Sequence, residues 1–187
     1  MAAKIYNPTH TLAYCASYDP KSANCQKCEC QYTDIEESLI LQECDAFYDV
    51  FLQIEKRLRN CGITENSAAK KQPILLSAPM CINGAFACEL ALKYLLISAN
   101  MPFNMSSGHN LEYLFNLLPQ DKRDTLITFM EKEYNIEQGC FQSGLSAIAN
   151  TFNDRRYNFS KFSSNRSLSS FFRPFVHTIC RYVLELS

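Results

Sequence analysis

A chain of 187 residues is long enough to bury a core and short enough for that core to be a single one. Apolar residues make up 47% and charged residues 20%, with only five glycines and seven prolines, a balance that excludes a disordered chain and a turn-rich β-sandwich and favours helices. The formal net charge of -1 excludes a global attraction to phosphate, so any nucleic acid would have to be held by a local basic patch.

Residues 1–33 hold Pro8, Pro20, four tyrosines and four cysteines without a sustained helical period, which predicts an irregular N-terminal arm ahead of one helical domain over 34–187. Thr33 followed by Glu36 matches a capping box. Ile35, Leu39, Ile40, Phe47, Val50, Phe51, Ile54 and Leu58 then recur at helical spacing, predicting a first helix over 34–60. Lys56, Arg57 and Arg59 in its last turn suit the negative end of the helix dipole. A polar connection from Thr64 to Gln72 leads into the most apolar stretch, Pro73 to Ala99. Pro73, Pro79 and Gly84 place the start of this central helix between Met80 and Ala85. Glu89 and Lys93 within it are spaced for an ion pair.

A loop over 100–110 precedes a short helix, Leu111 to Leu118, closed by Pro119. Another helix is expected over Asp121 to Tyr134, with Leu126, Ile127, Phe129 and Met130 inward, and a further one over 138–153, weakened by Gly139 and Gly144. Asn153 to Arg166 reads as a polar, basic and aromatic connection. Leu168 to Leu186 closes the chain as a helix, with Pro174 either in its first turn or starting a new helix.

Met1 to Pro8 lacks the apolar core of a secretion signal, and no uninterrupted run of about 18 apolar residues occurs. The expectation is a cytoplasmic protein without a membrane segment, its ten cysteines mostly reduced. Cys15, Cys25, Cys28 and Cys30 supply enough thiolates for a tetrahedral zinc ion, but a second C-x2-C pair is absent. A zinc site, a redox role and free thiols all stay open there, and no metal or cofactor is assigned. Cys44, Cys61, Cys81, Cys88, Cys140 and Cys180 read as small core or near-surface apolar residues.

Two segments carry a pattern seen elsewhere: Ala87-Cys88-Glu89-Leu90-Ala91-Leu92-Lys93-Tyr94-Leu95-Leu96, then Gly108-His109-Asn110-Leu111-Glu112-Tyr113-Leu114-Phe115. With Phe152-Asn153-Asp154-Arg155-Arg156-Tyr157 downstream, the order resembles the HEPN family of small helical bundles associated with RNA cleavage and nucleotide binding. The resemblance spans about residues 75–160 and implies an up-and-down helical bundle, commonly a homodimer. It implies RNA or nucleotide as ligand, in a bacterial defence or toxin-antitoxin setting. It also admits a non-catalytic module that binds a nucleotide or a protein partner, such as a minimal nucleotidyltransferase.

HEPN ribonucleases share an R-x(4-6)-H motif near the final helix, where metal-independent chemistry uses the ribose 2′-hydroxyl as nucleophile. In such chemistry a histidine serves as general acid or base, and an arginine stabilises charge on the phosphorane. Arg155 and Arg156 lack a histidine at that spacing. The available pair is Arg173 and His177, with three intervening residues. Residues four apart share a helix face, so both are the candidate catalytic residues for an endoribonuclease. Arg155, Arg156, Tyr157 and Lys161 interleave cations with aromatic rings and are the candidate RNA- or nucleotide-binding residues, against the alternative of a solvated connection. His109 reads as structural, at the start of a short helix.

Overall fold

The computed structural model describes residues 34–61, 67–103, 109–157 and 167–186. These form an all-α bundle of seven helices, with no strand among the described residues. The arm expected over 1–33, with its four cysteines and Thr33, lies outside them, as does the stretch 158–166 that contains Lys161.

The first helix, α1 (Asp34–Cys61), matches its expected span. Its buried stripe is Cys44, Tyr48, Phe51, Ile54 and Glu55, spaced by the three and four residues that one helix face requires. Leu39 and Val50, expected inward, are instead exposed at 52% and 40%.

The central helix, α2, runs from Ser67 to Ser98 and so begins well before Met80, passing through Pro73 and Pro79. The apolar stripe explains the extension. Leu76 and Met80 continue backwards the face formed by Gly84, Cys88 and Ala91, while Pro79 lies on the exposed side, where a missing N–H is least costly. An internal proline costs about 3 kcal/mol, and each large apolar side chain buried returns roughly 1.5–3 kcal/mol. Packing along this face therefore outweighs the local cost of Pro79. Leu76–Ser98 is long and apolar enough to cross a membrane, with a mean hydropathy of 1.5, yet 72% of its most apolar window is buried inside the bundle.

Asn110 caps α3 (Leu111–Leu117), its side chain accepting from Tyr113 N–H at 2.8 Å. Leu118 and Pro119 end α3, and α4 (Gln120–Tyr134) follows, closing on Asn135 in the left-handed conformation. Leu126 and Met130 are buried as expected, whereas Ile127 and Phe129 are partly buried, and Arg181 lies 5.7 Å over the Phe129 ring.

The helix expected over 138–153 is two helices, α5 (Gln138–Ile148) and α6 (Thr151–Tyr157). The Ala149 carbonyl accepts the Leu111 N–H at 2.9 Å, and the Asn150 side chain accepts from Asn110 at 3.3 Å. These contacts with the start of α3 divert the backbone group that an uninterrupted helix would use, so the break is imposed by tertiary structure.

The last helix, α7 (Ser167–Leu186), is continuous, and Pro174 lies inside it rather than in its first turn or at a new start. The carbonyl that Pro174 cannot reach belongs to Ser170, an exposed residue, which keeps the local cost low. Its burial of Phe171, Phe172, Phe175, Val176, Ile179, Cys180 and Val183 holds the helix together across the proline. α7 packs against α1, α2, α4 and α5, while α2 packs against α1, α3, α6 and α7. These two helices therefore form the axis on which the polar groups are mounted.

Candidate functional site

Arg173 and His177 are one turn apart on α7 and face α1. There, Tyr48 and Glu55 stand two turns apart on the buried stripe, with Phe51 between them. The His177 ring is edge-on to Phe51 at 5.4 Å and stacked on Tyr134 at 6.4 Å. Its Nδ1 lies 2.8 Å from the Tyr48 hydroxyl, and its Nε2 lies 3.3 Å from Glu55 Oε2. Burial pushes the Tyr48 phenol well above its usual range, so it keeps its proton beside Nδ1. With a proton on Nε2 the ring donates to Glu55, and in that tautomer Nδ1 accepts from the Tyr48 hydroxyl.

Glu55 is 5% exposed and serves three neighbours. Besides His177, Arg59 Nη2 donates to Oε2 at 3.3 Å, and Arg173 Nε stands 3.9 Å from Oε1. That last separation is an ion pair without a hydrogen bond, and Arg173 Nε is buried with no acceptor among the described residues.

The candidate ligand-binding segment begins on α6, which packs on α2. Arg155, on α6, and Arg173, on α7, both lie near enough to the buried Cys81 thiol of α2 to act on it electrostatically. Burial pushes the thiol up while the two guanidinium groups pull it down, with burial prevailing. Arg155 and Arg173, separated in sequence, thus share Cys81 as a neighbour. Arg156 and Tyr157 belong to α6 by backbone, but their side chains, like Lys161, lie outside the described part.

Sequence reasoning missed Glu55, Tyr48 and Arg59 as parts of this cleft. The signal available was the spacing of Cys44, Tyr48, Phe51 and Glu55, which places an acid on an otherwise apolar face. Arg59 had been read only as a partner of the helix dipole, and here it also pairs with Glu55.

A second buried carboxylate, Glu89, is 1% exposed and binds Lys93 Nζ at 2.6 Å and His109 Nδ1 at 2.8 Å. His109 also stacks on Phe152 at 4.9 Å, so it ties the loop before α3 to α2 and α6. The expected Glu89–Lys93 pair and the structural part given to His109 meet in this cluster. Cys44, Cys81, Cys88 and Cys180 are buried, consistent with their reading as small core residues, while Cys140 is exposed. Among the described residues, no group of three or more His, Cys, Asp or Glu side chains is arranged to hold a metal ion.

Comparison with family models, with curated proteins and with solved structures finds no match.

Proposed function

We propose that this protein binds RNA or a nucleotide through phosphate contacts at the polar cleft where α7 meets α1, with Arg155 of α6 as a further contact, and that it is a HEPN-like, up-and-down bundle acting as a homodimer. The observation that carries this reading is the gathering of Arg59 from α1 with Arg173 and His177 from α7 around one buried carboxylate, Glu55. Two guanidinium groups from different helices offer the planar donor geometry that suits phosphate.

On RNA, the cleft has the parts for metal-independent cleavage. His177 would take the proton of the ribose 2′-hydroxyl as that oxygen attacks phosphorus, Arg173 would stabilise the charge gained by the phosphorane, and the P–O5′ bond would break with the imidazolium returning its proton to the 5′-oxygen, leaving a 2′,3′-cyclic phosphate. Tyr48, 2.8 Å from Nδ1, would hold the imidazole in place while the substrate takes the position of Glu55 at Nε2. A defence or toxin-antitoxin setting fits such an endoribonuclease.

A second reading is favoured by one observation. Both ring nitrogens of His177 already have partners, Tyr48 and Glu55, so a substrate must displace one before the ring can act as a base. A non-catalytic module that binds a nucleotide or a protein such as a minimal nucleotidyltransferase needs no such displacement.

Incubation of purified protein with single-stranded RNA in chelator separates the two, with His177→Ala and Arg155→Ala in parallel. The catalytic reading expects cleavage that disappears in His177→Ala and binding that weakens in Arg155→Ala. Binding without cleavage in wild type leaves the non-catalytic module, and the absence of both overturns the phosphate reading.

A further inference from the structure

The cations of the cleft already have an anion. Glu55 presents two oxygens to Arg59, Arg173 and His177, which come from α1 and α7. A carboxylate and a phosphate offer a guanidinium the same paired acceptors, so Glu55 occupies the position that suits a ligand's oxyanion. Its fit is incomplete. The 3.9 Å gap to Arg173 exceeds hydrogen-bonding distance, and the buried Nε there has no acceptor. One carboxylate thus faces two permanent cations and a protonatable ring, leaving excess positive charge and a donor unsatisfied.

We infer that Glu55 is a built-in competitor for phosphate, an autoinhibitory contact that a ligand must displace to reach Arg173 and His177. The inference rests on the reading of this cleft as a phosphate site. RNA phosphodiesters and nucleotide phosphates share the oxyanion chemistry involved. Arg59, with 66% of its side chain exposed, is the group able to leave Glu55 first and meet the incoming anion.

The test compares wild type with Glu55→Gln, titrating the full chain in chelator with labelled oligouridylate in one arm and ATP in the other. Glutamine keeps the size and an oxygen acceptor for Arg59 but removes the competing charge. Binding in the arm that wild type occupies is expected to tighten about tenfold, the scale of one charge-assisted hydrogen bond. Equal or weaker binding by folded Glu55→Gln, with wild type binding normally, overturns the inference and leaves the phosphate reading standing. Failure of both proteins to bind either probe overturns both. Should Glu55→Gln not fold, the carboxyl-carbon resonance of Glu55 in wild type decides: saturating probe shifts it if the carboxylate is displaced, and an unmoved resonance overturns the inference.

Discussion

Glu89 and Glu55 face the same physical problem, a carboxylate buried in a helical core, and meet it differently. Glu89 has two close partners, Lys93 at 2.6 Å and His109 at 2.8 Å, so its charge is well compensated. Glu55 shares longer contacts among three. Removing the Glu89 charge strands a Lys93 ammonium that is itself largely buried, and breaking such a pair is costly. Glu89→Gln is therefore expected to lower stability by about 3 kcal/mol, with chemical denaturation as the measurement. A loss within about 0.5 kcal/mol, the range of an ordinary surface substitution, would contradict that account. The Glu89–Lys93 pair was legible in the sequence because both partners lie on one helix, four residues apart. So was the shared face of Arg173 and His177. The meeting of Glu55 with them was not, because its partners lie more than a hundred residues away and only packing of α1 on α7 brings them together.

Most helices were legible as elements because their apolar residues repeat with the helical period, and Pro119 marks the boundary between α3 and α4. The departures have tertiary causes: α2 is carried past Pro79 by its buried face, and α5 is parted from α6 by the hydrogen bonds that residues 149–150 make with the start of α3. Glycine shows the same limit. In sequence, Gly139 and Gly144 read alike as weak points of one helix, but they have different surroundings. A Cβ at Gly144 would fall inside the van der Waals envelope of the Phe171 ring, whereas one at Gly139 meets nothing within 4 Å. Phe171 is wedged against Phe141 and Phe175, so its ring has little room to retreat. Gly144→Ala is accordingly expected to destabilise by about 1–3 kcal/mol through overpacking of α5 on α7. Gly139→Ala should stabilise by about 0.5 kcal/mol through reduced backbone entropy. Thermal melts of the two variants check the opposed signs, and shifts in the same direction would refute the distinction.

The molecule as a whole hides titratable groups whose neutral forms the fold prefers. Burial pushes up the thiols of Cys81 and Cys180, and the Cys44 thiol is raised by its hydrogen bond with Cys180 and by burial. Tyr48 is raised chiefly by burial. In the unfolded chain these groups return to their usual values, 9.0 for the thiols and 10.0 for the phenol. Above those values the unfolded state releases protons that the folded state keeps. The folded state then binds more protons, and stability falls as pH rises. The stabilising contribution is complete below the unfolded values and is lost progressively from there towards the folded ones. Each group contributes a slope of about 1.4 kcal/mol per pH unit once its unfolded form is ionised. With reductant present, urea unfolding is expected to show a plateau at neutral pH and a steep decline beginning near the thiol value. Cys44→Ala should start from a lower plateau, because a buried side chain has been trimmed, and then decline less steeply, because one hidden thiol has been removed. Parallel declines in wild type and Cys44→Ala would show that the buried Cys44 thiol does not govern the alkaline limit of this fold.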